Sequence, residues 1–274
     1  AWTKSGRGQS GPVLREGSKL GVKTLTHESN AFPGVTTKLL ARTADKVLIS
    51  VEEARRFLPS GRDYIVSGNP VREQIIFADR EKARARLGIG GRICIVSFGG
   101  SLGARRINEA VAGLMAWEQA RGGIYHIHAT GSYEKDRFPQ QLTTAGVDPK
   151  APGLDIRTYI DDMPDCLAAA DLVISRAGAM TLSELEASGT ACVLIPSPNV
   201  AENHQYHNAR VLEERGAAVV IEEKNLSPEL LRSTVAGLCE EPQTLCRLGK
   251  NAQKMAVLDA NERIYREIIS LIGT

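Results

Sequence analysis

Short apolar runs alternate with helical patterns along most of this chain. Strand-like runs fall at residues 22–26, 46–50, 64–67, 92–97, 124–129, 154–158, 172–175, 191–195 and 218–221. Between them lie segments such as 104–119, 181–188 and 203–214, whose apolar residues recur at the spacing of a helix with one buried face. Runs that are apolar throughout mark strands covered on both sides, and strands joined by crossover helices run parallel. The pattern predicts the α/β class with Rossmann-like winding.

The elements are unevenly distributed. Residues 68–258 hold six of the strands with their helices, enough for one complete Rossmann-like domain. Residues 1–67 supply three strands with no glycine-rich turn after the first, and read as the remnant of a second such domain. From Ser227 onward the pattern is helical, broken at Pro242 and near Asp259. Residues 259–274 form a last segment, whose helix over 261–272 is expected to return to the first part. No short-period repeat or low-complexity tract is present.

Composition narrows the function classes. A hydrophobic fraction of 42% excludes intrinsic disorder, and 34 basic against 32 acidic residues give a net charge too small to nominate nucleic acid as a partner. The charge is skewed, however: residues 1–67 carry 11 Lys and Arg against 6 Asp and Glu. Such an end can be solvated lysines on amphipathic helices, or a surface that meets an anionic ligand or anionic membrane. No apolar stretch approaches the ~20 residues needed to cross a bilayer, and the start lacks the apolar core of a signal peptide. The five cysteines form no CxxC pair, and Cys94 and Cys192 lie inside apolar runs, as in a reduced cytoplasmic protein. The chain begins without Met, so its natural beginning is expected to lie upstream.

Two strand-to-helix turns carry the strongest chemical signal. Ser97-Phe98-Gly99-Gly100-Ser101-Leu102-Gly103-Ala104 follows one apolar strand, and Ser175-Arg176-Ala177-Gly178-Ala179-Met180-Thr181 another. Glycines there let backbone N–H groups approach a phosphate, and the positive end of a helix favours an anion, although a merely tight turn has the same composition. Neither turn is the dinucleotide fingerprint or the P-loop. Ligands of wound sheets bind outside the carboxyl ends of the strands, so both turns are expected on one rim, serving one ligand. Glu184, early in the helix after the second turn, is expected to stay ionised and could accept both hydroxyls of a ribose; it could equally be a solvated helix residue.

Other candidates are weaker alone. Asn203-His204-Gln205-Tyr206-His207-Asn208 opens a helix with side chains suited to a sugar; His204 and His207 could instead grip a metal, but no third ligand is evident. His126 and His128 read as packing or surface histidines. Asp161-Asp162 lacks the spacing that holds a metal–nucleotide complex, so no metal or other cofactor is required. His27-Glu28 is a candidate acid–base pair, although neighbours on an extended backbone point to opposite faces. The loop after them could simply be a helix entry capped by Ser29 or Asn30. Arg72, in Gly68-Asn69-Pro70-Val71-Arg72 between the two parts, could pair with a phosphate.

Taken in order, HESNAFPG, GNPVR, FGGSLGARRIN, YIDDM, SRAGAMTLSE and HQYHNAR resemble the MurG family of peptidoglycan glycosyltransferases over residues 10–265. The resemblance implies a GT-B fold, in which two Rossmann-like domains face across a cleft and the second holds the nucleotide sugar. It implies an inverting enzyme that moves GlcNAc from UDP-GlcNAc to the 4-hydroxyl of undecaprenyl-linked MurNAc-pentapeptide, peripheral on the inner face of the bacterial plasma membrane. By this resemblance Glu184 binds the ribose, and Ala179, Met180, Thr181, Leu182 and Ser183 form the loop and helix start under diphosphate and ribose. Ser101 contacts phosphate with Asn108 as a neighbouring polar site, the backbone of Ile160 reads uracil, and Arg72 is the junction arginine. Gln205 reads the GlcNAc hydroxyls beside His204, while Asn30, His27 and Glu28 face the cleft from the first part.

Two departures from the family stand out. Ser29 replaces its usual Gln. Its opening strand and Gly-Gly-Thr-Gly-Gly-His loop have no counterpart, and Gly6-Arg7-Gly8-Gln9-Ser10-Gly11-Pro12 follows its second glycine loop only in part. About ninety residues of the family's first domain are therefore expected to be missing. With them would go the acceptor diphosphate site, the main catalytic base and much of the membrane-docking surface. A chain that binds UDP-GlcNAc without turnover, or a UDP-GlcNAc 2-epimerase of the same fold, is the alternative.

Overall fold

A computed structural model describes residues 10–273. The start of the incomplete glycine loop, Gly6 to Gln9, lies outside the described residues. The first half contains α1 (Ser10–Lys19), β1 (Leu25–Glu28), α2 (Val35–Leu40), β2 (Lys46–Ile49) and β3 (Ile65–Val66), with a 3-10 turn at Glu52–Phe57. Its three strands form a parallel sheet in the order β1-β2-β3, with Leu25 opposite Lys46 and Ile49 opposite Val66. The first strand starts three residues later than its apolar run. Thr24 gives its N–H and hydroxyl to the Asp45 carboxylate, at 2.7 and 3.0 Å, so the ladder to β2 begins only beyond it.

The second half contains α3 (Glu73–Ile76), α4 (Arg80–Arg86), β4 (Ile93–Phe98), α5 (Arg105–Arg121), β5 (Ile124–Ala129), α6 (Phe138–Thr144), β6 (Leu154–Arg157) and α7 (Met163–Ala169). It continues with β7 (Leu172–Ser175), α8 (Ala179–Ser188), β8 (Ala191–Leu194), α9 (His204–Glu214), β9 (Val219–Val220), α10 (Pro228–Glu240) and α11 (Pro242–Met255). All its strands are parallel, in the order β6-β5-β4-β7-β8-β9. The order reverses between β4 and β7, and the two glycine-containing turns follow those two neighbouring strands. They therefore open on the same rim, where a wound sheet leaves room for a ligand.

Each face of this sheet has its own core. Cys94, Val96, Ile127 and Cys192 pack with α7, α8 and α9, while Ile95, Ile174 and Val193 pack with α5 and α10. The thiols of Cys94 and Cys192 are pushed up to about 12 by burial, and these side chains act as small hydrophobes. The last helix, α12 (Ala260–Ile272), returns to the first half: Lys46 Nζ bonds Glu267 at 2.5 Å, and Arg263 donates to the Val66 carbonyl at 3.3 Å. The chain thus crosses between halves twice, near Gly68 and near Val257. The two crossings touch, because Gly68 has φ +73° and a Cβ built on it would lie 2.5 Å from Val257 Cβ. Only glycine fits both constraints.

Candidate functional site

The rim of the second sheet presents unpaired backbone donors. α8 starts at Gly178 with no side-chain cap, and its first N–H to bond within the helix is that of Leu182. The amides of Ala179, Met180 and Thr181 are therefore the open positive end of the helix. The loop after β4 is held against the loop after β5 so closely that a Cβ on Gly103 would stand 2.3 Å from the Thr130 carbonyl. The hydroxyl-bearing Ser101 is exposed on this loop, and its carbonyl takes the Ser132 N–H at 3.1 Å.

Glu184 and Arg72 meet at this rim, with Arg72 Nη2 3.2 Å from Glu184 Oε1. The Arg72 side chain is half exposed and that of Glu184 about one-fifth exposed, so both can be reached by a ligand. Burial raises the proton affinity of the Glu184 carboxyl, and Arg72 opposes that rise without cancelling it. Arg72, and not the helix dipole, favours the ionised form of Glu184. Glu184 is the sixth residue of α8, beyond the first turn in which the dipole acts.

Only some of the expected residues reach the rim by their side chains. Leu182 and Ile160 are buried in the core, so their backbones alone can face a ligand. Ser183 accepts from Asn69 Nδ2 at 3.1 Å and belongs to the contact between halves. Asn108 is fully buried behind the glycine loop, where Nδ2 holds the Thr130 carbonyl at 2.9 Å; it supports the loop instead of lining the site. Gln205 Oε1 accepts the Ser197 N–H at 2.9 Å, and His204 Nδ1 donates to Ala201 O at 2.8 Å. Both brace the loop before α9, in which Glu202 and Asn203 hold left-handed φ values of 54° and 49°. Beside that loop is a cleft of about 320 Å³ walled by Arg106, Asn203, Tyr206 and Lys224.

The His27–Glu28 pair does not form. Glu28 is buried, its Oε1 accepting from the Asn30 backbone and side-chain amides at 3.0 Å each, and its Oε2 from Gly34 N at 3.1 Å. These three bonds shape the loop, and in this structure Glu28 acts as a positioning residue. His27 Nε2 donates to the Gly68 carbonyl at 2.9 Å, at the crossing between halves. Asn30 faces the second half, where its Oδ1 accepts from Asn208 Nδ2 at 3.1 Å.

His204 and His207 do not converge. The His207 ring stacks on Phe32 of the first half, centroids 4.6 Å apart, and no group of three or more metal-ligating side chains occurs among the described residues. His126 and His128 belong to a fully buried chain of polar groups. Ser97 Oγ lies 2.6 Å from His126 Nε2 and 2.7 Å from His128 Nδ1, and His126 Nδ1 lies 2.8 Å from Glu118. Burial keeps His128 neutral by pushing its proton affinity well down. Glu118 lies outside every motif in the sequence, while Asn69 and Asn208 stand inside two of them, which do not show the contacts between halves that the structure gives them. Glu118 and Asn208 nonetheless stand four residues from the buried Leu114 and Leu212 on their helices, a spacing that places a polar side chain on an apolar face.

Two parallel-sheet halves joined by a double crossing, with anion-ready turns and a carboxylate on the rim of the second, define the GT-B class of glycosyltransferases. Residues 94–264 match the glycosyltransferase family 28 C-terminal domain, and the chain belongs to that family. It is 45% identical over 260 residues to the UDP-N-acetylglucosamine–N-acetylmuramyl-(pentapeptide) pyrophosphoryl-undecaprenol N-acetylglucosamine transferase of Acetivibrio thermocellus. That match covers 94% of this chain and 69% of the relative. The enzyme of the same name from Ruminiclostridium cellulolyticum is 42% identical, covering 96% of this chain and 71% of its own. Among solved structures, MurG of Acinetobacter baumannii superposes with a TM-score of 0.79 at 27% identity, over 96% of this chain and 71% of that one.

Proposed function

We propose that this chain carries the donor-binding machinery of an inverting glycosyltransferase. That enzyme moves N-acetylglucosamine from UDP-N-acetylglucosamine to the 4-hydroxyl of lipid-linked N-acetylmuramyl-pentapeptide. The observation that carries the reading is the Arg72–Glu184 pair at the mouth of two N–H-rich turns on one rim, in a chain 45% identical to a transferase of that name. Ribose hydroxyls would take the place of Arg72 on Glu184, and the released guanidinium would reach the diphosphate. The α8 amides and the Ser101 loop would hold the phosphates, Ile160 the base through its backbone, and the loop before α9 the sugar.

In a single displacement the acceptor oxygen bonds to the anomeric carbon as the bond to UDP breaks. A base takes the hydroxyl proton, and the departing diphosphate accumulates charge. Fixed donors aimed at that charge lower the barrier, which is the part Arg72 and the α8 amides would play. His27, Glu28 and Asn30 would hold the opposite wall of the cleft. Incubation with UDP-N-acetylglucosamine and a soluble acceptor analogue should release UDP with formation of a β-1,4 disaccharide. Donor binding without transfer would reduce the reading to a binding module, and epimerised sugar from the donor alone would replace it.

The membrane side of the proposal rests on the first half. Leu39 is largely exposed beside Arg15, Glu16 and Arg42 on a 490 Å³ hollow between α1 and α2, and Leu20 is exposed just past the end of α1, where Lys19 pairs with Glu16. Exposed leucines with Arg15 and Arg42 beside them suit a peripheral contact with an anionic lipid surface on the cytoplasmic face. No helix among the described residues is long and apolar enough to span a bilayer. Sedimentation with anionic but not neutral vesicles, weakened by salt, is the expected result; equal binding to both would remove the electrostatic part.

A further inference from the structure

Behind the rim, where α8 meets the first half, Ser29, Ser50 and Asn69 on one side and Ser183, Glu186 and Asn208 on the other line a small hollow of about 20 Å³ that is open to solvent on one side. A space of that size admits about one water molecule. Glu186 is only 7% exposed, and none of the residues that line the hollow is a lysine, arginine or histidine. The charged group that faces it has the same sign: Glu53, on the 3-10 turn of the first half, itself paired with Arg215 at 2.6 Å. Cys192 on β8 is the other titratable neighbour, and it is held neutral by burial. Glu184, two residues earlier on the helix, is engaged with Arg72.

The wall of the hollow also holds an acceptor without a donor. Asn69 Oδ1 is buried and has no partner among the described residues. Its orientation is fixed, because Nδ2 donates to the Ser29 carbonyl and to Ser183 Oγ, each at 3.1 Å. Glu186 lines the same hollow and would bring a donor into it when its carboxyl is protonated. A carboxylate would instead be a largely buried charge with no cation among the lining residues, better solvated when the halves part.

We propose that Glu186 is a proton-linked latch between the two halves: neutral, it lets α8 seat against the first half, and ionised, it drives them apart. Burial first, and the Glu53 carboxylate second, raise its proton affinity to about 7 in the closed form. Opening to water returns it toward the ordinary carboxylate range, so closure takes up a proton. The closed form is favoured at low pH and loses ground as pH rises through 7. With full proton uptake the closed-to-open ratio falls about ten-fold between pH 6 and pH 8.

The test needs no nucleotide, so its outcome is separate from that of the proposed transfer reaction. Spin labels are placed on Cys246, the exposed cysteine among four buried ones, and on the first half through Asp63→Cys, an exposed position. The interlabel distance should change between about pH 4.5 and pH 8, with a midpoint below 7. It should stay at its low-pH value throughout in Glu186→Gln, and the midpoint should move down in Glu53→Gln, which removes the like charge. A pH-independent distance in the parent chain, or an unaltered transition in Glu186→Gln, overturns the latch. If Glu186→Gln does not fold, an unmoved midpoint in Glu53→Gln overturns it.

Discussion

Asn208 and Asn30, 178 residues apart in the chain, are bonded amide to amide across the contact between the halves. Asn208 also accepts the Ala31 N–H at 2.8 Å and donates to the Ala177 carbonyl at 3.2 Å, so one side chain ties the loop after β1 to the turn before α8. The amide is buried, and its loss leaves the Ala31 N–H without a partner.

Asn208→Ala should therefore cost about 1–3 kcal/mol for each buried group left unpaired. Urea unfolding will read this as a lower midpoint at unchanged slope, and amide hydrogens of residues 28–34 should exchange faster. Parent-like exchange in that loop would show that the bond does not hold it.

Glu184→Ala should weaken UDP binding ten-fold or more, because charge-assisted hydrogen bonds contribute about 1.5–3 kcal/mol each. Titration calorimetry measures it directly. Unchanged affinity would remove Glu184 from the donor site.

The same carboxylate sets a pH dependence. Its proton affinity is raised by burial, so UDP binding should weaken on acidification at a higher pH than an unperturbed glutamate would give. The sign is opposite to that of the Glu186 latch, whose closed form gains as pH falls. Measuring UDP affinity from pH 4.5 to 8 in the Glu186→Gln background isolates Glu184; a flat profile there would count against its role.

Gly68→Ala should destabilise the chain through left-handed strain, about 1–3 kcal/mol, and through collision with Val257. Adding Val257→Ala should recover the collision part and leave the strain. Full recovery in the double variant would mean that the backbone conformation at Gly68 carries no cost.

Glu118→Ala should be among the costliest single changes. It strips the carboxylate from His126 Nδ1 in a fully buried chain of polar groups, and an unpaired buried donor costs about 1–3 kcal/mol before the cavity is added. Denaturant unfolding measures the loss; a stability within error of the parent would mean that water or another group takes over the bond.

The winding was legible because it rests on local pattern. The runs at 124–129 and 172–175 coincide with β5 and β7, and the turns at Gly99–Gly103 and Gly178 stand where glycine follows an apolar strand. Partners distant in sequence were not legible. Glu28 beside His27 suggests a pair, yet its acceptors are used by Asn30 and Gly34 of its own loop. Glu186 looks like a solvated helix residue until its spacing from the buried Leu182 is read as a position on the inward face. An acid on an apolar stripe signals a buried charge, but not what lies opposite, because that is supplied by the other half.

The meeting of Gly68 with Val257 has a mechanical consequence. Two strands of polypeptide joining a pair of bodies at separate points would resist twisting in every direction, whereas two that touch act as one pin. Any swing of one half against the other would turn about that pin, and a small displacement there would be enlarged at the far lip, where the sugar would lie. A residue too large to sit at the pin would alter the reach of the swing from a place remote from any substrate.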